Sequence, residues 1–262
     1  MNRLDPIIAA TREEVAARRA ATPLPALDIV VAERAAAADV RPFREALASP
    51  GLSLIAEHKR RSPSAGPIRE DLALEDVVGA YERGGAAALS ILTEGPNFGG
   101  SLDDLRAARR ATQLPLLRKD FVVDPYQIHE ASAAGADAIL LIVAVLSADE
   151  LSALHSEAVG LGLSALVEVH DERELEVALE LAVPVIGINN RDLKTLQVDI
   201  RRTFELLTRV GDRALVVSES GFGRRDQLDE LEAAGVNGVL IGEALMRSPD
   251  IEAATRALTR RE

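Results

Sequence analysis

The chain has 262 residues, 47% hydrophobic and 27% charged, with a formal net charge of −12; this fits one large globular domain or two small ones and argues against a nucleic-acid or anionic-membrane surface. Cysteine is absent, which excludes disulfides, thiolate metal sites and thiol nucleophiles, and four scattered histidines offer no metal spacing such as HExxH. No apolar run reaches the roughly 18 residues of a membrane span, and "MNRLDPIIAATREEVAARRA" lacks the apolar core of a signal peptide, so the expected location is cytoplasmic.

Residues 1–50 read as mostly helical, with Thr11-x-x-Glu14 as a capping box and "ATPLP" (21–25) as a break. From Ser53 the chain turns periodic. Short runs rich in Val, Ile, Leu and Ala occupy 53–59, 86–92, 115–119, 137–143, 163–169, 184–189, 214–219 and 237–242. Amphipathic segments lie between them, with helix starts at Ser101-x-x-Asp104, Ser147-x-x-Glu150 and Asp171-x-x-Glu174. Eight alternations of strand and helix predict a parallel sheet covered by helices. Eight is also the number that closes a (β/α)8 barrel, or TIM barrel. A doubly wound open sheet is the second choice, and no GxGxxG follows the first strand to support it. The expected organisation is one α/β domain: a barrel over 51–262 with residues 1–50 as a helical extension packed on it.

In such barrels chemistry gathers at the C-terminal strand ends. Here those ends read "IAEHK", "LLRKD", "LVEVH", "IGINNR", "VVSESG" and "LIGE". Strand side chains alternate faces, so Ile55, Glu57 and Lys59 share one face and Ala56 and His58 the other. The same alternation brings Lys119, Glu168, Asn189 and Glu219 to the mouth, gathering two ammoniums and three carboxylates in one cup. The lysines are informative because the chain writes its cations as arginine. Of 30 Lys+Arg, only Lys59, Lys119 and Lys194 are lysines. A buried lysine exchanges protons, whereas arginine stays charged. Lys194, in "NNRDLKTL", reads as surface charge.

"SESGFG" (218–223) and "GVNGVLIGEAL" (235–245) place small residues after the last two strands, the usual phosphate site of these barrels. "RRSPSAGP" (60–67) adds Arg60, Arg61, Ser62 and Ser64 as further donors to phosphate oxygens. Phe98 and Phe121 lie just past strand ends, where they can line a pocket for an apolar ring or serve the core. His58 is expected to face the helix layer. His129, His155 and His170 show no partner in the sequence.

Together "IAEHKRRSPSAG", "SILTEGPNFGGSLDDL", "LLRKDFVVDPYQIHEA", "GADAILLI", "LVEVHDERELEVAL", "IGINNRDLKTLQVD", "VSESGF" and "VLIGEALM" resemble, in order, the signatures of the indole-3-glycerol phosphate synthase family. The likeness covers about residues 50–250 and includes a helical N-terminal segment. It implies a lyase of tryptophan biosynthesis. Such enzymes convert 1-(2-carboxyphenylamino)-1-deoxyribulose 5-phosphate to indole-3-glycerol phosphate, CO2 and water without a cofactor. It further implies Lys119 as general acid, Glu57 and Lys59 as a catalytic pair, Glu168 and Asn189 as catalytic partners, and Glu219 with Ser220 as the strand-seven pair. Arg61, Ser220, Gly221, Gly242 and Glu243 fall where family members hold the phosphate; Phe98, Phe121 and Leu140 fall at the anthranilate pocket. Ser62 and Arg191 are counted with the substrate-binding residues. His58 replaces a usually apolar residue, and Arg61 stands where lysine or a small residue is common. The chain is expected to act as a monomer, with weak association to other tryptophan-pathway enzymes at most. Phosphoribosylanthranilate isomerase, the nearest alternative enzyme, typically uses a cysteine that this chain lacks. A non-catalytic sugar-phosphate binder is the alternative outside enzymes.

Overall fold

Eight short strands, buried along almost their whole length, close on one another in the computed structural model, which describes residues 4–259. They are β1 Ser53–His58, β2 Ala88–Leu92, β3 Leu116–Lys119, β4 Ala138–Ile142, β5 Ser164–Val169, β6 Val185–Asn189, β7 Leu215–Glu219 and β8 Gly238–Ile241. Each pairs in parallel with its chain neighbour, and β8 returns to β1, Ile55 opposite Leu240, so that no edge is left. The expected runs thus hold to within two residues at their ends. The barrel is flanked by helices, among them α4 Leu74–Arg83, α5 Leu102–Ala111, α6 Pro125–Ala133, α7 Ala148–Gly160, α8 Glu172–Glu180, α9 Arg201–Val210 and α10 Arg225–Ala234; α11 Glu243–Met246 and α12 Ile251–Thr259 follow β8.

The pleat sorts the strand residues into two cores. Ile55, Ala88, Leu117, Ala138, Leu166, Val185, Val217 and Leu240 form the barrel interior. Leu54, Ala56, Leu89, Ile91, Leu116, Ile139, Val167, Ile186 and Val239 face the helices and pack in a larger cluster. The alternation read from "LIAEHK" is therefore realised. The N-terminal segment forms α1 Leu4–Ala21, α2 Leu24–Ala36 and α3 Phe43–Leu47. Phe43 and Leu47, fully buried, join the barrel-interior core, and Ser53 Oγ donates to the Ala46 carbonyl at 3.1 Å. Leu4 belongs to the same interior cluster.

The capping box at Thr11 does not exist. Helix α1 runs through that position, and Thr11 Oγ1 donates back to the Ile7 carbonyl at 2.9 Å. Hydroxyl side chains can bond the preceding turn as well as cap a new helix, so the spacing alone was ambiguous. Ser101, Ser147 and Asp171 do cap their helices.

His58 is 2% exposed on the outer face of β1. Burial, reinforced by the Arg60 cation, lowers its pKa from 6.5 to about 4. The unfolded chain therefore binds a proton that the folded chain refuses between those values, and stability falls as pH drops through that window. Between pH 7 and pH 5 this one group should remove about 2 kcal/mol. Urea titrations of the protein and of His58→Leu at both pH values should show that slope in the parent and its loss in the variant.

Candidate active site

The C-terminal strand ends open into a cavity of about 900 Å³. Its polar half is built from the inward-facing ends of β1, β3, β5, β6 and β7. Glu57 leaves β1 and meets Lys59 Nζ at 2.7 Å; Ser90 Oγ of β2 donates to Glu57 at 3.4 Å. Lys119, last in β3, contacts Glu219 of β7 at hydrogen-bond distance and lies 3.6 Å from Glu168 Oε2 of β5. The Asn189 side chain of β6 lies beside Glu168 and favours its charged form, and its Oδ1 accepts the Arg191 backbone N–H at 3.0 Å. Glu57, Lys59, Lys119, Glu168, Asn189 and Glu219 all line the one cavity, with Ser90 buried behind Glu57. The cup of two ammoniums and three carboxylates predicted from strand alternation is present.

Two glycines make room for it. A Cβ on Gly187 would stand 2.3 Å from Glu219 Oε1, and one on Gly242 would stand 2.6 Å from Glu57 Oε1. At the inward position of β6 and just past the end of β8, therefore, any side chain would displace a carboxylate.

The electrostatics follow from crowding. Burial alone would lower the Lys119 pKa, but Glu219, Glu168 and Glu57 outweigh it and hold the group above its ordinary value, as an ammonium. Glu57 and Glu168 lie below the usual carboxylate range despite burial: Lys59 and Lys119 stabilise the first, Lys119, His170 and Asn189 the second. Glu219 goes the other way, pushed up to about 7 by burial and the neighbouring Glu168 and Glu57 carboxylates against the pull of Lys119. Its Oε1 is buried with no hydrogen-bond partner. Among three carboxylates around one ammonium, Glu219 is the one to carry a proton. Opposed pKa values in one cleft are the usual signature of acid and base division.

At one end the cavity wall consists of Ser220, Gly221, Gly242 and Glu243. The turn after β7 has two successive positive φ angles, +66° at Ser220 and +95° at Gly221. The first is uncommon for a residue with a Cβ. At Gly221 a Cβ would also meet Val198 Cγ1 at 2.6 Å. At the other end the wall is apolar: Phe98, Phe121 and Leu140, joined by Leu4 and Ile7 of α1. Ser62 and Arg191 also line the space. Arg61 does not; its guanidinium donates to the Gly95 and Pro96 carbonyls at 3.1 and 3.3 Å, bracing the loop after β2. Lys194 is exposed, as expected.

Sequence reading missed four contributors. Glu94 Oε2 accepts from the backbone N–H of Asn97 at 2.7 Å and of Phe98 at 2.9 Å, which fixes the Phe98 loop. Arg247 lines the phosphate-like end and pairs with Glu243 at 3.0 Å. Helix α1 supplies part of the apolar wall, a contact across the whole chain length that no local signal announces. His170, without a visible partner in the sequence, lies between Glu168 and Glu174. Its position two residues after Glu168 at a strand end was the available clue, since alternation aims both the same way. His129 likewise has partners, Asp28 at 2.7 Å and Glu157 at 2.8 Å, far from the cavity residues in sequence.

No group of His, Asp and Glu among the described residues is placed to hold a metal ion, and no helix among them is long and apolar enough to cross a membrane.

Comparison with known proteins gives one consistent result. The family model described as indole-3-glycerol phosphate synthase matches residues 4–258. A curated relative from Streptomyces coelicolor, indole-3-glycerol phosphate synthase 2, is 52% identical over 82% of this chain and 84% of its own length. Indole-3-glycerol phosphate synthases from Azoarcus sp. and Nocardioides sp. are 48% and 47% identical, covering 97% and 99% of this chain and 98% of their own lengths. Among solved structures, thiamine phosphate pyrophosphorylase from Pyrococcus furiosus superimposes with a TM-score of 0.60 over 79% of this chain and 93% of that one. At 18% identity that likeness concerns the barrel alone.

Proposed function

This chain belongs to the indole-3-glycerol phosphate synthase family, and from that premise we propose how its own residues divide the work. The enzyme is a carbon–carbon lyase of tryptophan biosynthesis. It closes the indole ring of 1-(2-carboxyphenylamino)-1-deoxyribulose 5-phosphate, with loss of CO2 and water. Ring closure requires a proton at the substrate's keto oxygen as the aromatic carbon attacks. Lys119 supplies it: an ammonium held charged by Glu219, Glu168 and Glu57 inside the cavity is a placed donor. That single grouping carries the proposal.

The second cation, Lys59, holds the benzoate carboxylate until it leaves as CO2. Dehydration then needs an acid at the new hydroxyl and a base for the remaining ring proton; Lys59 and Glu168 share those roles. Glu57 orients Lys59 through the 2.7 Å pair. Asn189 orients Glu168 without adding charge. Glu219, poised near neutrality, takes or returns a proton to Lys119. The phosphate lies at the turn of Ser220 and Gly221 and at Gly242 and Glu243, with Ser62 opposite, and Phe98, Phe121 and Leu140 enclose the anthranilate ring. Arg191 borders the same space. The enzyme works as a cytoplasmic monomer in this reading, with residues 1–50 as an extension of one barrel domain.

Substrate labelled with 13C in the carboxylate, incubated with chelator-treated protein, tests the reaction. One labelled CO2 per indole-3-glycerol phosphate is expected, independent of chelation. An isomerised product that keeps its label would overturn the reading in favour of an isomerase, and an unconverted bound substrate would favour a binding protein.

A further inference from the structure

The reaction has a proton balance that the cup alone does not meet. Ring closure puts a proton on the keto oxygen, dehydration needs another at the departing hydroxyl, and one returns from the ring carbon. Decarboxylation exchanges none. The carboxylate substrate therefore takes up one proton from solvent per turnover: substrate anion plus one proton yields product, CO2 and water.

A row of titratable groups leads from the buried cup to the surface. Lys119 Nζ stands 3.6 Å from Glu168 Oε2. Glu168 Oε1 stands 3.2 Å from His170 Nε2. His170 Nδ1 stands 3.0 Å from Glu174 Oε2. The Lys119 side chain is 16% exposed, into the cavity that substrate fills; Glu168 and His170 are 2% and 10% exposed, and Glu174 at the outer end is 19% exposed. Glu174 is itself anchored: its Oε2 accepts the His170 backbone N–H at 2.7 Å, and its own N–H donates to the Asp171 cap at 2.9 Å. The one unaligned step is at Nε2, which meets Glu168 as an ion pair with no aligned hydrogen bond, so the ring must tilt to deliver its proton. The charged groups facing His170 are Glu168 from β5, with Lys119 of β3 behind it, and Glu174 from α8.

We propose that His170 and Glu174 form the entry relay that resupplies the consumed proton to Glu168 and Lys119. His170 gives its Nε2 proton to Glu168 Oε1 and is left neutral with its other proton still on Nδ1; the ring then turns its bare Nε2 to Glu174, takes a proton that Glu174 has drawn from solvent, and turns back, while Glu168 passes its proton to Lys119. One proton enters and each relay group ends as it began. Burial would lower the imidazole pKa, but hydrogen bonds and charge from both glutamates raise it to about 10, so the resting ring is loaded. His170 and Glu174 are positioning and relay residues outside the substrate's reach, and the inference rests on the synthase reading above.

The test uses the purified full chain and the same substrate. In His170→Ala, kcat should fall about tenfold or more with KM within about twofold. Its solvent deuterium isotope effect on kcat should rise, and added imidazole should restore turnover. Glu174→Gln keeps an acceptor for the His170 amide but cannot carry the proton, and should show a smaller loss with the same isotope signature. Unchanged kcat and isotope effect, or a loss confined to KM and indifferent to imidazole, would overturn the relay. If His170→Ala does not fold, Glu174→Gln decides alone by the same readouts. Wild-type turnover is the control: no product there refutes the synthase reading, whereas product there with indifferent variants refutes only the relay.

Discussion

Lys119→Arg should bind the substrate nearly as well as the parent and lose about three orders of magnitude in kcat. The charge is retained, so attraction for the anionic substrate and the partnership with Glu219 and Glu168 persist. What goes is the exchangeable proton. A guanidinium stays protonated under all working conditions, and a positioned general acid is worth about 10²–10⁴ in rate. The larger planar head also has to fit where Nζ lies in contact with Glu219, which adds to the loss. Steady-state kinetics with isothermal titration of a substrate analogue separate the two effects. Equal losses in affinity and turnover would make Lys119 an electrostatic anchor instead of a donor.

The second large effect concerns stability. Arg118 adjoins Lys119 but points into the helix layer, and it is 1% exposed. Its guanidinium donates to Thr93 Oγ1 at 3.0 Å, the Gln127 carbonyl at 2.6 Å and Asp120 Oδ2 at 2.8 Å. Glu130 lies 3.6 Å away and is shared with Arg18 of α1. Asp120 Oδ1 in turn accepts the Phe121 N–H at 2.8 Å. One buried cation thus fixes the segment that carries Phe121 and ties it to α6. Arg118→Met roughly keeps the volume but leaves the Asp120 carboxylate without its cation, held only by the Thr93 hydroxyl at 2.6 Å and the Phe121 N–H, and removing one partner of a buried pair costs about 3–5 kcal/mol. Urea unfolding should show a loss of that size, with kcat reduced as the Phe121 loop loosens. A change under about 1 kcal/mol would mean the network is absent in solution.

Much of this was legible in the sequence, and the reason is the pleat. A period of two fixes which residue of a strand faces inward, so "LIAEHK" already put Glu57 and Lys59 together on the face of Ile55. The sparse lysines pointed to Lys119 for a similarly simple reason, that arginine cannot replace a proton donor. What stayed hidden depends on distances between elements. Arg61 carries the charge suited to phosphate, yet the geometry of the loop after β2 claims it for two carbonyls. Leu4 and Ile7 reach the cavity because α1 packs against the open end, which no local pattern encodes. Glu94 looks like any strand-end acid until it is seen to cap two backbone amides. His170 gained its meaning only when β5 and α8 brought Glu168 and Glu174 to its two ring nitrogens.

The central claim is that this cavity makes an indole. The most direct measurement is the fluorescence at indole wavelengths after mixing purified protein with 1-(2-carboxyphenylamino)-1-deoxyribulose 5-phosphate. The chain contains no tryptophan, so product emission stands on a low background. The signal should rise until substrate is exhausted. Thermal stabilisation by the substrate with no emission at all would contradict it, leaving a sugar-phosphate binder in the same barrel.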